Sequence, residues 1–404
     1  MSTLYELRPY QQEALDAVTA ELTGADPASD RCQVISACGT GKTLMSQRIG
    51  DRLAPGAADI VVFTAPSISL IDQNMTAWTD QMAGGLPFEA LAVCSDPTVT
   101  SAADLRAEAG GLNPAQAAEA FVALGTAATT DPVAVKDAIA QRTGRLAIFV
   151  THVSLHIVAE ALRSCGDQAT VLLVDEAHKT AGVAQSKATK SGRPPLGPLV
   201  LEQFPAARRV FFTATPRIYA GGKASDTQDF VACMTDGGPY GRVVFNFTFT
   251  KAVDGRYLVP FRLLVSVCSD PSLDAVFSDN PDAHVTYRGL TAPARQVAAH
   301  LAIEQAIAAS GSRRILTFHS TVKAAEAFAE AHPAVAAVTA PGDTYRCEAM
   351  SGSTPSADRR IQLDRLAAGV DADGNPVDRS MMSNAKVLTE GVDVPAIDMV
   401  AFCD

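Results

Sequence analysis

The chain has 404 residues, 47% of them hydrophobic and 19% charged, a globular rather than a disordered composition. At roughly 100 to 200 residues per domain this length asks for two domains or slightly more. Lys and Arg number 33 against 44 Asp and Glu, a net charge of −11. That balance weighs against a nucleic-acid binder of the strongly basic kind, though not against a local basic groove. No stretch reaches the roughly 18 to 20 consecutive apolar residues of a membrane helix. The N-terminal Met1-Ser2-Thr3-Leu4-Tyr5-Glu6-Leu7 has neither the basic nor the apolar region of a secretory signal. A cytoplasmic protein with no membrane contact is therefore expected. The eight cysteines are scattered without a C-x-x-C pair, which argues against a zinc site or a disulfide framework. The histidines show no ligand spacing, so no structural metal is expected.

Helical spacing opens the chain over 9–22. A strand follows at 33–36, then a helix over 44–53, then strands at 60–64, 90–94, 146–150, 171–174 and 209–213. These runs are apolar throughout rather than alternating, the pattern of strands covered on both faces in a parallel sheet. The Ala-rich stretch 101–142 lacks strand character and reads as a helical insertion. A second strand series runs 261–268, 314–318, 345–350, 386–389 and 399–402. The simplest organisation is two tandem α/β domains: 1–222 with the insertion, a linker or return segment over 223–255, and 256–404. The join falls in the polar, Gly-rich stretch after Ala220-Gly221-Gly222-Lys223.

The strongest local pattern is Cys38-Gly39-Thr40-Gly41-Lys42-Thr43, directly after a strand and before a helix. A phosphate chain needs close backbone approach, which glycine permits, inward N–H groups and a positive helix N-terminus. It also needs a lysine for the β- and γ-oxygens and a hydroxyl for Mg²⁺. Lys42 and Thr43 supply the last two. Six residues before the lysine, where the usual pattern has glycine, stands Ser36. The second pattern, Asp175-Glu176-Ala177-His178, places two carboxylates at the C-terminal end of a strand, where ligands bind in such sheets. Asp175 is placed to hold Mg²⁺ and Glu176 to orient and deprotonate an attacking water. An Asp-Glu pair is also favourable merely at a helix start.

With these motifs in order, the sequence resembles a superfamily 2 helicase of the DEAH-box type over almost its whole length. The resemblance implies two RecA-like domains of the P-loop NTPase kind, ATP and Mg²⁺ as cofactors, and nucleic-acid-dependent ATP hydrolysis. Leu7-Arg8-Pro9-Tyr10-Gln11 is similar to the motif ahead of the phosphate loop, implying that Arg8 packs on adenine and Gln11 reads its edge. Thr64-Ala65-Pro66-Ser67 and Thr151-His152 resemble motifs that touch a nucleic-acid strand, here through Pro66, Ser67 and Thr151. Thr213-Ala214-Thr215-Pro216 resembles the motif that, with His178, couples ATP state to strand grip. In the second domain Thr317-Phe318-His319-Ser320 and Ser351-Gly352 resemble further strand contacts, through His319, Ser351 and Gly352. Leu388-Thr389-Glu390-Gly391-Val392-Asp393 resembles the motif that reaches both nucleic acid, through Thr389, and nucleotide, through Gly391 and Asp393. Taken singly, a Ser or Thr at a strand end is more often a helix cap than a phosphate ligand.

A narrower resemblance links Ala37-Cys38-Gly39-Thr40-Gly41-Lys42-Thr43, Ala92-Val93-Cys94-Ser95-Asp96, Thr129-Thr130-Asp131-Pro132 and Thr213-Ala214-Thr215-Pro216-Arg217-Ile218-Tyr219 to the helicase modules of restriction-type enzymes. It extends to actinobacterial and phage helicases with helicase-associated repeats. It implies a motor on duplex rather than single-stranded DNA, with ATP between the two domains. The family's sixth motif, which carries an arginine finger, would follow Asp404. The expectation is therefore weak hydrolysis unless a partner or a further segment supplies that arginine. Arg359 and Arg360 read as solvated surface residues. Two other readings stay open: an RNA-directed helicase or sensor, and an ATP-gated binding module with little turnover. Asp371-Ala372-Asp373-Gly374-Asn375 reads as a turn rather than a calcium loop.

Overall fold

The computed structural model describes residues 5–24, 29–82, 85–94, 128–184, 195–218, 230–265, 284–287, 290–351, 354, 356–385 and 394–403. They fall in two compact units that divide between Pro260 and Phe261.

In the first unit the strands are β1 (Arg31–Ser36), β2 (Ile60–Ala65), β3 (Glu89–Val93), β4 (Ala128–Thr129), β5 (Leu146–Thr151), β6 (Val171–Val174), β8 (Arg209–Thr213) and β10 (Arg242–Phe247). They form one sheet in the order β10-β1-β8-β6-β2-β5-β3-β4, and every pairing in it is parallel. A small antiparallel pair, β7 (Gly182–Ala184) with β9 (Phe230–Ala232), lies apart from it. The central strands are buried at every position: Ile60-Val61-Val62-Phe63-Thr64-Ala65 has no exposed residue. A β-branched run of this kind has no solvent face, so helices must cover both sides. Phe63, Trp78 and Phe149 meet beneath one of those helices with ring centroids 5.2 to 6.0 Å apart.

Local chemistry sets the helix starts. Pro9 stands at the first turn of α1 (Pro9–Thr23), where its missing N–H costs nothing. The helix α2 (Lys42–Leu53) begins directly after Gly41. Ser67 caps α3 (Ile68–Asp80), its hydroxyl accepting from the Leu70 amide at 3.4 Å. Asp131 caps the helix Pro132–Gln141 in the same way at 3.0 Å.

The expected linker over 223–255 is corrected in its described part. Residues 230–255 hold β9, β10 and the helix Phe249–Asp254, all within the first unit. The strand β10 is a half-exposed edge that pairs with β1, about 210 residues earlier. Its pairing partner is remote and its face mixed, so no continuous apolar run marks it. Of the expected insertion, 101–127 lie outside the described residues. The remainder is β4 and the helix Pro132–Gln141.

The second unit carries a four-stranded parallel sheet of β13 (Arg314–Phe318), β14 (Tyr345–Met350), β15 (Arg379–Asn384) and β16 (Met399–Phe402), ordered β14-β15-β13-β16. An antiparallel hairpin, β11 (His284–Tyr287) and β12 (Leu290–Pro293), precedes it. The helices Ala294–Ser310, Val322–Thr339 and Ser356–Ala368 accompany the sheet. Two strand expectations change here. Residues 261–265 form no strand, and Phe261 and Leu263 are 72% and 82% exposed. The third strand of the sheet is β15, in Arg379-Ser380-Met381-Met382-Ser383-Asn384, whereas the expected 386–389 lie outside the described residues. Ser380, Ser383 and Asn384 break any apolar run in β15, yet they are buried with hydrogen bonds made. Asn384 Nδ2 donates to the Thr317 carbonyl at 2.9 Å, and Ser383 accepts from Thr317 at 2.9 Å. Among the described residues no helix is long and apolar enough to cross a membrane.

Candidate functional site

A sheet whose strands all run one way delivers all their C-terminal ends to a single edge. In the first unit that edge receives the loop after β1, Pro66 and Ser67 after β2, Thr151 from β5, Asp175 and Glu176 after β6, and Thr213 from β8. Ligands bind outside this edge in open parallel sheets. Neither of the two principal motifs sits beside the other in the ladder: β8 runs between β1 and β6.

The loop after β1 turns on Gly39 and Gly41, both at φ +77°, a left-handed conformation that glycine alone adopts without strain. A Cβ at Gly41 would meet Gln11 Nε2 at 2.5 Å, and one at Gly39 would meet Leu258 at 3.1 Å. Side chains at either position would therefore displace the loop's own neighbours. Thr40 is buried, its hydroxyl 2.7 Å from that of Ser36 and donating to the Ala37 carbonyl at 2.5 Å. Ser36 thus stands where the pattern has glycine and ties the loop closed through its side chain. Lys42 Nζ donates to the Ser36 carbonyl at 3.4 Å, so the lysine folds back over the loop. Lys42 and Thr43 open α2, whose first N–H groups have no intrahelical acceptor and whose dipole favours an anion. Cys38 is exposed on the loop.

The segment ahead of the loop locks onto it. Tyr10 OH and Gln11 Nε2 both donate to the Thr40 carbonyl, at 2.8 and 3.0 Å. Gln11 Oε1 accepts from the Arg8 amide at 2.9 Å. One end of the amide is thus occupied and one N–H of Nε2 remains to be shared. Arg8 lies over the Tyr257 ring at 5.5 Å, and Tyr10 stacks on Phe247 at 4.2 Å. A cavity of about 350 Å³ opens beside the loop, walled by Tyr5, Glu6, Arg8, Gln47, Asp80 and Gln81 and floored by Gly39, Thr40, Gly41 and Thr43. That volume lies within the usual range for small-molecule sites. Sequence reasoning assigned no role to Tyr10, Gln47, Asp80 or Tyr257. Tyr10 stands inside a motif already singled out, while the others have no local pattern that points to them.

Asp175 follows β6 and is 8% exposed. Burial first, and then the negative charge of Glu176, push its carboxyl up to about 6, while Lys42 pulls it back. Glu176 adopts φ +47°, uncommon for a residue with a Cβ and a strain of about 1 kcal/mol or more. Burial raises the Glu176 carboxyl too. The His178 hydrogen bond and the charges of Lys42, His178 and Lys179 more than offset this and hold it below the ordinary glutamate value. The charge of Lys42 therefore reaches both carboxylates, which brings the two sequence motifs into one electrostatic site.

From Glu176 a chain of polar contacts leads to β8. His178 Nδ1 lies 3.3 Å from Glu176 Oε2 and 3.0 Å from Thr213 Oγ1, and Thr213 Oγ1 accepts from the Thr215 amide at 3.1 Å. A carboxylate only accepts, so Nδ1 carries the proton and shares it between the two oxygens. The three residues expected to couple, His178, Thr213 and Thr215, are one connected set.

The residues expected to touch a strand are placed less openly. Pro66 is half-buried, whereas Ser67, Thr151, His319 and Ser351 are buried. Ser67 serves as a cap, and the Ser351 amide donates to Thr354 Oγ1 at 3.1 Å. His319 Nε2 lies 3.0 Å from Thr317 Oγ1. Burial drives the imidazole of His152 down to about 3. Gly352, Thr389, Gly391 and Asp393 lie outside the described residues. Arg359, read from sequence as a solvated arginine, is instead buried, its Nε donating to the Thr354 carbonyl at 2.8 Å. The Asp371 turn forms as expected, Oδ1 accepting from the Asp373 and Asn375 amides at 2.9 and 2.8 Å.

Two tandem parallel-sheet units, with a Gly-Lys-Thr loop and an Asp-Glu-Ala-His segment at one sheet edge, define a helicase-type chain of superfamily 2. More narrowly, the chain belongs to the family described as type III restriction enzyme, res subunit, whose model matches residues 4–218. Among solved structures it is similar to LlaBIII, an ATP-dependent type ISP restriction-modification enzyme bound to DNA. There the TM-score is 0.73 at 22% identity, over 99% of this chain and 26% of that one. A nuclease-deletion mutant of the type ISP enzyme LlaGI, in complex with a DNA substrate mimic, gives 0.59 at 21% identity over 98% and 25%. The Hef helicase domain of Pyrococcus furiosus gives 0.51 at 13% identity over 98% and 89%. The chain spans about a quarter of the length of the two type ISP enzymes, and at these identities the likeness is one of fold. No curated protein matches it.

Proposed function

We propose that the chain is an ATP-dependent DNA translocase or helicase module. The observation that carries this reading is the shared sheet edge that receives the 39–43 loop, Asp175 and Glu176, with a polar chain leading from Glu176 to Thr215. The donor set fits a magnesium triphosphate. A buried Asp175, pushed toward neutrality by its surroundings, is the kind of carboxylate that a divalent cation re-ionises. Thr43 offers a hydroxyl for the same ion. Bound Mg²⁺ would neutralise charge developing on the phosphates.

The chain's own residues divide the work. Lys42, the amides around Gly39 to Gly41 and the α2 N-terminus hold the phosphates. Arg8 and Gln11 bound the cavity that takes the base. Glu176 is held ionised by His178, so it accepts a proton from the attacking water and orients it. When Glu176 changes partners, His178 is drawn with it, and Thr213 and Thr215 register the change. The DNA side is read through backbone phosphates by neutral donors and helix ends, which suits an acidic chain. The type ISP neighbours solved with DNA favour DNA over RNA.

The test is ATP turnover by the purified chain and its Lys42→Ala variant, with duplex DNA, single-stranded DNA or duplex RNA added. Duplex DNA should stimulate the wild type most, and the variant should lose turnover by about 10²-fold or more. Equal turnover in Lys42→Ala removes the site assignment. Stimulation by RNA alone converts the reading to an RNA helicase, and ATP-dependent DNA binding without turnover converts it to a binding module.

A further inference from the structure

The second unit holds a buried polar cluster that none of the chemistry above uses. His300 and Glu304 lie one turn apart on the helix Ala294–Ser310, His332 and Thr339 on the helix Val322–Thr339, and Tyr345 opens β14. His300 Nδ1 is 2.9 Å from His332 Nδ1, and His332 Nε2 is 3.0 Å from Glu304 Oε1. Thr339 Oγ1 and Tyr345 OH donate to Glu304 Oε2 at 3.0 and 3.1 Å. Both histidines are wholly buried. The Phe328 ring stacks against both, its centroid 3.9 Å from that of His300 and 5.5 Å from that of His332.

Counting protons fixes the state of the cluster. Glu304 accepts from three donors, so His332 Nε2 carries a hydrogen. The contact between the two Nδ1 atoms holds one hydrogen and no more. With His332 neutral, His300 donates through Nδ1 and its Nε2 is bare. That Nε2 is buried without a hydrogen-bond partner among the described residues, and a bare lone pair there costs less than an unpaired N–H. A further proton on His300 Nε2 would face no acceptor. Placed on His332 Nδ1, it would set two N–H groups against each other at 2.9 Å.

We propose that His300 and His332 share a single proton and so latch the two helices of the second unit together, and that a second proton is admitted only when the helices part. Pro333 directly follows His332 inside its helix. Its missing N–H leaves the Ala329 carbonyl without its helical donor, so the helix is weakest beside the latch. Phe328 also lies 4.9 Å from the His319 ring, which links the latch to the end of β13.

The groups facing the pair come from each neighbouring element. They are Glu304 on the first helix, His319 after β13, and Tyr345 and Cys347 on β14, which in turn feel Asp343, Arg346 and Arg379. Burial, then the charges of His332 and His319, hold the His300 imidazole down to about 3. A base held below its ordinary 6.5 costs stability as pH falls beneath about 6.5, and the cost grows until the folded value is reached. Over that range the folding constant falls up to about tenfold per pH unit for this one group.

Proton uptake on unfolding of the full chain, measured calorimetrically at pH 5.5 in buffers of different ionisation enthalpy, tests the latch. His300→Phe should take up about one proton fewer than the wild type. His152, also held to about 3 in the first unit, contributes equally to both. Equal uptake by the folded variant overturns the proposal. Ring-nitrogen NMR of the wild type gives an independent reading that needs no variant. His300 should stay a neutral Nδ1–H tautomer from pH 7 to 5.5, and titration near 6.5 in the folded protein overturns the latch.

Discussion

Both units are parallel sheets with polar residues at the C-terminal ends of their strands, yet they use those ends differently. In the first unit the ends carry Lys42, Asp175 and Glu176, whose charges act on one another. In the second, the described ends of β13 and β15 carry Thr317, His319, Ser383 and Asn384, closed on each other by hydrogen bonds. Ionisable groups of the second unit are sunk instead beneath its helices, around Glu304. The difference teaches where chemistry is stored. Unbalanced charge at a sheet edge is an instability that a ligand can relieve, whereas satisfied neutral polar groups hold shape.

Glu176→Gln is the sharpest way to break this contrast. It keeps the shape and removes the base, so turnover should fall by about 10² to 10⁴-fold while ATP binding, read by equilibrium titration, stays. Undiminished turnover would leave the first unit's edge as inert as the second's. Asp175→Asn should also end turnover, and it should stabilise the protein without ligand. The sign follows from an acid held above its ordinary value. Asp175 costs stability as pH rises through about 6 and costs little near pH 4. The gain in thermal stability at pH 8 should therefore reach up to about 3 kcal/mol and vanish near pH 4. A gain independent of pH would deny that the carboxylate is strained.

Thr213→Val is subtler. It removes the hydroxyl that meets His178 and the Thr215 amide, worth about 1 to 2 kcal/mol. Basal turnover should change by no more than about tenfold, and its stimulation by DNA should be lost. Stimulation that survives would show that the coupling runs elsewhere. The smallest effect expected is Ser67→Ala. If Ser67 acts as a cap, stability drops by about 1 kcal/mol and DNA affinity does not move. A fall in affinity without a fall in stability would make it a strand contact after all.

The fold was legible where burial on both faces wrote itself as unbroken apolar runs. Strands β2, β5, β6 and β8 stand where those runs predict. It was not legible in β10 and β15. The first is a half-exposed edge whose partner β1 is about 210 residues away. The second buries serines and an asparagine whose hydrogen bonds come from other elements. The site divides in the same manner. The loop and the acidic pair are contiguous in sequence because backbone geometry demands glycine, lysine and hydroxyl in fixed order. The cavity wall of Gln47, Asp80 and Gln81 is assembled from separate helices. The histidine latch likewise joins two helices and a strand, so no local spacing betrays it.

The position of β8 has one more consequence. Laddered to β1 on one side and β6 on the other, it can neither slide nor tilt without tearing two rows of bonds. If the chain couples a bound nucleotide to movement, as proposed above, the change would not leave as movement of this strand. Past Thr213 the chain leaves the ladder, and among the described residues Thr215, Arg217 and Ile218 there reach solvent. On the function proposed above, a substitution at that exit would uncouple ATP turnover from movement on DNA while sparing each.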